Sequence, residues 1–224
     1  MTVEFLWHER SRPTRGPKPA FTLEQIADAA IALADAEGLA AVSMQRVAAD
    51  LGYTKMSLYR YVPGKAELVA AMLERGIGEP PPPTDQAWRA ALTDWAARLL
   101  AAYLRHPWAL AATAGARPVG PNELGWLERA LCVLPKSLTG AERMDVVATV
   151  AGHVRMIAGQ AGQRENELGA AIGLVLREHA DRFPAVAAAM ADIAERGGGD
   201  QAFAFGLARI LDGIEALIGG RRQV

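Results

Sequence analysis

The sequence contains one cysteine, Cys132, and lacks the features of a secreted or membrane-bound protein. A single cysteine permits neither a disulfide within the chain nor a cluster of thiolate metal ligands, which favours a reducing environment. The longest run without a charged residue, His106 to Ala116, is far shorter than the ~18 apolar residues that a membrane span needs. Glu4 and Glu9 interrupt the N-terminal segment, so it does not match a signal peptide. We therefore expect a cytoplasmic protein.

Strand patterns and catalytic motifs are also lacking. No period-two run of β-branched residues stands out, whereas apolar residues recur at spacings of three and four almost throughout, which predicts an all-α protein. There is no glycine-rich nucleotide loop, no nucleophile elbow and no zinc-protease motif, and the histidines are dispersed. These absences predict no enzymatic activity, no metal site and no cofactor.

Charge is unevenly distributed, although the formal net charge is only −1. Between Arg10 and Leu23 the sequence carries basic residues and no acid, and between Ser43 and Lys65 it carries one acid, Asp50, among several basic residues. Two short basic segments on a nearly neutral chain are typical of a protein that binds nucleic acid through a small positively charged surface.

The sequence divides into three parts. Residues 1–19 form a basic arm, residues 20–78 form a first helical region, and residues 84–224 form a larger second region. Pro80–Pro83 separates the two helical regions, because four consecutive prolines cannot continue a helix. The periodicity predicts helices in the second region over 85–105, 107–114, 121–134, 139–161, 164–180, 184–195 and 201–218.

The sharpest pattern lies between residues 43 and 62. One short helix begins at the N-cap Ser43, and a second begins near Thr54, with Leu51–Thr54 as a glycine-containing turn between them. This spacing predicts a helix-turn-helix, in which the second helix buries Leu58 and presents an outer face of polar and basic residues with no acid. Such a face suits the major groove of DNA, although a plain helical hairpin would have the same spacing.

The residues from Val47 to Lys65, with their L-G-x-x-x-x-x-L-Y-x-[HY]-[FV]-x-x-K core, resemble the TetR family of bacterial transcriptional repressors. Gly115–Pro118 and Phe205–Leu207, followed by Leu211–Ile214, resemble the tetracycline-repressor-like C-terminal branch of that family. The resemblance implies an N-terminal three-helix DNA-binding bundle joined to a larger helical domain for ligand binding and dimerisation. It does not extend to magnesium-tetracycline, because Ile77 and Thr113 stand where histidines hold that ligand.

The resemblance implies that Gln45, Lys55 and Met56 face bases and that Ser57, Tyr59, Tyr61 and Lys65 hold phosphates, whereas Arg60 could do either. The full expected DNA-binding set also includes Ser43 and Thr54, together with Arg12, Arg15 and Lys18 of the arm. The prolines and glycine of the arm exclude a helix, so we expect it to enter the adjacent minor groove, with a solvated tail as the alternative.

The second region carries two further expectations. Broad apolar stripes on the 139–161 and 201–218 helices predict a twofold four-helix interface with a second copy, through Val147, Val150, Val154, Phe203, Leu207, Ile210, Ile214 and Leu217. Polar and aromatic groups on otherwise apolar helices predict a small-molecule pocket, lined by Trp88, Trp95, Trp108, Arg117, Asn122, Trp126, His153, Met156 and Gln160.

Together these patterns predict a ligand-responsive regulator, most simply a repressor, that binds palindromic double-stranded operator DNA as a homodimer and is released by a small molecule. Activation instead of repression stays open at this point, as do the effector and the operator. The competing classes are an enzyme and a purely structural helical protein, and the acid-free face at residues 54–60 argues against the second.

Overall fold

The expected helices are present in the computed structural model of the chain, which describes residues 4–7, 22–161, 165–196 and 201–221, with only the backbone of 165–168 and 221. This described part contains helices and no strands, which confirms the all-α class. In chain order the helices are α1 (Glu4–Trp7), α2 (Leu23–Glu37), α3 (Met44–Asp50), α4 (Lys55–Tyr59), α5 (Lys65–Ile77), α6 (Trp88–Arg105), α7 (Trp108–Ala112), α8 (Pro121–Val133), α9 (Gly140–Ala161), α10 (Glu165–His179), α11 (Pro184–Arg196) and α12 (Ala202–Arg221). Two short 3-10 helices, Leu39–Ala41 and Ala180–Arg182, were not predicted.

Local signals in the sequence set the ends of α2. The Thr22 hydroxyl accepts the backbone N–H of Gln25 at 3.3 Å, and the Gln25 side chain accepts the N–H of Thr22 at 2.8 Å. This reciprocal capping box satisfies two N–H groups that the first turn leaves without partners. At the other end Gly38 has a φ of 83° and donates its N–H to Ala34 O, so the chain turns away.

The predicted helix-turn-helix is present as α3, a glycine turn and α4. The Ser43 hydroxyl caps α3 by accepting a backbone N–H of the first turn at 3.2 Å. α3 ends in a Schellman turn, in which Gly52 has a φ of 76° and Tyr53 donates its N–H to Ala48 O at 2.8 Å. Ala48 and Leu58 are at most 1% exposed, and the buried leucine fixes α4 against the rest of the N-terminal bundle.

α5 connects the N-terminal bundle, called the head here (α2–α5), to the body formed by the later helices. It packs against α2 in the head and against α6, α7 and α8 in the body. Leu68, Met72 and Leu73 of α5 belong to one hydrophobic cluster with buried residues of both regions. The chain therefore passes through Pro80–Pro83 between two regions that share a core through α5.

α9 lies at the centre of the body, because it packs against α6, α8 and α12. Val147, Val150 and Val154 face this core and are at most 5% exposed. A side chain that the single chain already buries has almost no surface left for a partner. These valines therefore hold the body together, which corrects the expectation that they form the contact between subunits.

The predicted interface residues of α12 include both buried and exposed side chains. Leu207 and Ile214 are buried against the chain's own core, so they too are corrected from contact residues to core residues. Phe203 and Ile210 are half-buried, and Leu217 is 42% exposed. The sequence pattern identified an apolar helix correctly but did not separate its two sides.

α10 and α11 differ from the other body helices. α11 has no buried residue, and neither do the described side chains of α10. Both pack on the short 3-10 helix between them, and they expose large apolar side chains: Leu174, Val175, Phe183, Val186 and Ile193. Within the described ranges, no helix combines the length and the apolar character that crossing a membrane requires.

We expect Gly52→Ala to lower the free energy of unfolding by about 1–2 kcal/mol, because a Cβ disfavours left-handed backbone. The added Cβ would meet nothing within 4 Å, so the effect is one of backbone conformation alone. Gly140→Ala is the matched control, since its Cβ also meets nothing within 4 Å and its φ is not left-handed. Urea denaturation at equal protein concentration compares the two variants, and equal midpoints would contradict the prediction.

Candidate nucleic-acid interface and its junction with the body

α4 presents a continuous polar face to solvent. Leu58 is its one buried residue, and Ser57 is half-buried, with its hydroxyl 3.2 Å from that of Thr54. The exposed residues on the opposite side are Thr54, Lys55, Met56, Tyr59 and Arg60. Hydroxyl, amine, guanidinium and phenol groups on one short helix can bond both phosphate oxygens and base edges.

Met56 is the exception on this face, because it is apolar and 66% exposed. Its exposure excludes a role in the core of the single chain. An unbranched apolar side chain among polar neighbours can contact the methyl group of thymine in the major groove. The position therefore favours a base contact over a packing role.

The charge of this face is positive and uncompensated by acids on α4. Lys55 is exposed on α4, and Lys65 is exposed at the first turn of α5. Arg46 of α3 does not add to this charge, because it forms a bidentate ion pair with Glu37 at 2.8 and 2.6 Å. The hydrogen bond from Arg46 lowers the pKa of Glu37, so both groups remain charged and paired.

The remaining residues that were predicted to contact DNA differ in exposure and in the hydrogen bonds that they already make. Gln45 is exposed and Tyr61 is half-buried. The Ser43 hydroxyl already accepts the helix-capping N–H, so a phosphate contact from it would have to use its O–H as donor. Arg12, Arg15 and Lys18 lie outside the described residues.

The residues predicted to line a small-molecule pocket differ in burial and in the contacts that they make. Trp95 and Trp126 pack edge to face with ring centroids 6.0 Å apart. His153 stacks on Phe203 and contacts its carbonyl oxygen at 3.0 Å, which makes it a link between α9 and α12. Met156 is 51% exposed.

Two more of these predicted residues lie at the edges of the body. Gln160 is exposed near the end of α9, and Trp88 is half-buried at the start of α6. Helical spacing thus grouped residues that lie at different depths in the body.

Trp108 of the same predicted set lies instead where α7 meets the head. Its indole N–H donates to Asp35 Oδ1 at 2.7 Å, and the same carboxylate lies 2.9 Å from His106 Nδ1. The ring is 5% exposed, and a Cβ added at Gly76 would lie 3.2 Å from it. This contact joins α2 of the head directly to α7, and the glycine allows α5 to pass close to the indole.

A second polar contact joins α5 to α8. The two oxygens of the Glu74 carboxylate accept the backbone N–H groups of Asn122 and Glu123 at 2.7 and 3.0 Å, and the Asn122 side chain donates to Glu74 O. Glu74 thus caps the first turn of α8 from another helix. Burial raises the pKa of Glu74, and these N–H groups oppose the rise. Arg117 donates to Glu123 at 2.7 Å, which secures the loop before α8.

An open groove of about 400 Å³ lies between the proline segment, α6 and α8. Of the predicted pocket residues it includes only Trp95. Its lining residues are Pro81, Pro82, Pro83, Thr84, Asp85, Gln86, Ala91, Asp94, Trp95, Arg98, Arg129, Cys132 and Val133.

Sequence reasoning missed the acidic residues of the two junctions. Glu74 lies 48 positions before Asn122, and Asp35 lies 73 positions before Trp108, so no local spacing connects them. Glu74 has the pattern of an ordinary acid on an amphipathic helix. The run of prolines did mark a special segment, but it predicted a spacer and not the wall of a groove.

The arrangement defines a class of protein: a helix-turn-helix with an acid-free exposed face, joined through one shared helix to a larger helical body, is that of a transcriptional regulator. Comparison with known families agrees. The model of the bacterial regulatory proteins of the tetR family matches residues 26–72, and the model of the tetracyclin repressor-like C-terminal domain matches residues 80–218. The chain belongs to the TetR family of bacterial transcriptional regulators.

Two relatives illustrate the likeness. The HTH-type transcriptional repressor DrrR1 of Streptomyces coeruleorubidus is 39% identical over 99% of this chain and 87% of its own length. ActR of Streptomyces coelicolor, solved without ligand, is 25% identical with a TM-score of 0.78 over 92% of this chain and 99% of that one. ActR has also been solved in complex with (S)-DNPA, at 25% identity and a TM-score of 0.75 over 89% of this chain and 99% of that one.

We expect Gly120→Ala to break the contact between Glu74 and α8, because the added Cβ would lie 2.3 Å from the carboxylate carbon. Loss of hydrogen bonds to a charged group lowers the free energy of unfolding by about 1–3 kcal/mol. Glu74→Ala removes the same contact, so the double variant should be little less stable than either single variant.

Gly115→Ala is the control, since it lies in the same loop and its Cβ would meet nothing within 4 Å. Urea denaturation of the four variants and the parent provides the comparison. Strictly additive losses in the double variant would show that Gly120 and Glu74 do not act through one contact.

Proposed function

We propose that this protein is a cytoplasmic repressor that binds a palindromic operator as a homodimer and is released by a small molecule. The observation that carries the proposal is the exposed, acid-free face of α4, presented by a capped helix-turn-helix. The name of DrrR1 supports repression over activation. The relatives are transcription regulators and not enzymes, which supports a purely binding function.

In this proposal α4 lies in the major groove and its first residues approach the base edges. Lys55 and Met56 face bases together with Gln45 of α3, while Ser57 and Tyr59 hold phosphates. These are the roles that exposed amines, amides and hydroxyls take in DNA recognition. Arg60 is exposed beside them and takes either role in this proposal.

Further phosphate contacts come from residues that flank α4. Tyr61 follows the helix directly, and Lys65 opens α5, where the positive end of the helix dipole adds to its charge. Thr54 and Ser43 supply hydroxyl groups at the starts of α4 and α3. For the N-terminal segment we propose minor-groove contacts through Arg12, Arg15 and Lys18, which rest on the sequence alone.

The homodimer is proposed to form through the outer sides of α9 and α12. The exposed small or flexible residues on α9 at four-residue spacing are Ala148, Gly152 and Met156. The corresponding residues on α12 are Ile210, Gly213 and Leu217, of which the first is half-buried. Two helices from each subunit can then form a four-helix bundle about a twofold axis, which would place the two α4 helices about 34–36 Å, or a multiple, apart.

The effector is proposed to act by shifting the position of α5. The complex of ActR with (S)-DNPA supports a small molecule as the ligand of the body. α5 contacts the body through Glu74, and the neighbouring α2 contacts it through Asp35, so a ligand that favours another arrangement of α5 also moves α4. A difference in ligand affinity of ~1–3 kcal/mol between the two arrangements is sufficient for such coupling.

Lys65→Ala should weaken operator binding and lower the slope of log K against log salt by ~0.9, because it removes a phosphate-neutralising charge, whereas Lys55→Ala should weaken binding through the loss of a base contact. A lysine that faces bases alone would leave this slope unchanged. Gel shifts with DNA flanking the protein's own gene, over a series of salt concentrations, provide the measurement. Lys136→Ala, an exposed lysine after α8, is the control and should leave the slope unchanged. Binding of the parent protein no tighter than that of a generic polycation would refute the proposed function.

Leu217→Lys should convert the dimer to a monomer, because a 42% exposed leucine at the proposed contact would become a desolvated charge. Leu104→Lys is the control, since Leu104 is 47% exposed on α6, outside the proposed contact. Size-exclusion chromatography with light scattering gives both masses. A monomeric parent protein would reject the homodimer, whereas a dimeric Leu217→Lys variant would reject this face alone.

A further inference from the structure

The groove between Pro81–Gln86, α6 and α8 has walls that other contacts hold in place. Prolines donate no N–H and prefer an extended backbone, so Pro81–Pro83 forms a stiff and largely apolar wall. On the α6 side Trp95 donates its indole N–H to Trp126 O at 2.9 Å, and Trp126 donates to Gly78 O at 3.1 Å. These bonds fix both indoles and the start of the proline segment relative to each other.

The charged side chains of the groove differ in whether another group offsets their charge. Arg98 is paired with Asp94 at 2.7 Å, so these two charges offset each other. Arg129 of α8 is half-buried and makes no hydrogen bond or ion pair with any residue that the structure describes. Asp85 also lines the groove but is exposed, where water solvates its charge.

An arginine that is partly removed from water without an acidic partner favours an anion beside it. The guanidinium is planar, remains charged at all ordinary pH values, and presents donors that match a carboxylate or phenolate. The adjoining proline rings, together with the small exposed part of Trp95, which is 5% exposed, are apolar and suit flat hydrocarbon rings. A molecule that carries both a negative charge and flat aromatic rings meets these two requirements.

We propose that this groove is the effector site and that it takes an aromatic anion, with its carboxylate or phenolate on Arg129 and its rings against the proline wall. This inference rests on the proposed function, because it gives the small-molecule effector a place and a chemical class. The groove also has a direct connection to the head, since its proline wall begins shortly after α5 ends at Ile77. A ligand that displaces this wall therefore displaces the end of α5.

Cys132 provides a built-in reporter, because it is the chain's one cysteine, is exposed, and lines the groove. The probes are 2-naphthoate and its neutral amide, 2-naphthamide, which have the same rings and nearly the same shape. Saturating 2-naphthoate should slow the reaction of Cys132 with a disulfide reagent several-fold. Tryptophan fluorescence should give a dissociation constant roughly tenfold lower for the carboxylate than for the amide, as expected for a hydrogen-bonded charge pair.

Arg129→Gln should abolish the preference for the carboxylate over the amide, and Arg129→Lys should retain part of the preference. Arg105→Gln, at the end of α6 and outside the groove lining, is the matched control and should bind as the parent does. Circular dichroism confirms that each variant is folded. Equal affinity for the two probes, no protection of Cys132, or an unchanged preference in Arg129→Gln would each overturn the proposal.

Operator gel shifts separate this inference from the proposed function. Ligand-free Arg129→Gln should bind the operator as tightly as the parent protein, because Arg129 lies outside the head. Operator binding by the parent without protection of Cys132 would reject the groove and leave the regulator intact. Protection of Cys132 by a protein that binds no operator would reject the regulator instead.

Discussion

The position of α5 is the constraint on which the rest of the molecule depends. This helix supplies buried residues to both the head and the body, so neither core is complete without it. Its Glu74 carboxylate caps α8, and the neighbouring Asp35 of α2 holds Trp108 of α7. Two acids of the head thus meet donors of the body, and the orientation of α4 is set by contacts far from α4 itself.

The contacts of Glu74 and Asp35 are partly buried and hydrogen-bonded. They therefore fix the geometry between head and body without a large gain in free energy. Burial opposes the charge of Glu74 while two backbone N–H groups favour it, so the net stabilisation is smaller than the number of bonds suggests. The proposed shift of α5 requires a joint of this kind, whose net free energy is small enough for a ligand to change its position. The apolar core around α9, in contrast, holds the helices of the body together.

The proline segment has two roles in this arrangement. It leads the chain to α6 after Gly78, which ends α5 with a φ of 75°, and it forms one wall of the groove beside Trp95. Trp126 links these roles, since its indole donates to Gly78 O at the end of α5 while its own carbonyl oxygen holds Trp95. The groove, the end of α5 and the first turn of α8 are therefore neighbours connected by hydrogen bonds.

The sequence by itself determined what depends on neighbouring residues: the capping box at Thr22, the glycine turn at Gly52, the helix boundaries and the acid-free face of α4. These follow from backbone geometry and periodicity, which act over a few positions. Only the tertiary structure decided which side of an apolar helix is core, as the burial of Val150 shows, and which distant residues meet, as Glu74 and Asn122 do. Packing of helices brings together residues that no local spacing relates, so the junctions and the groove could not be predicted from the sequence.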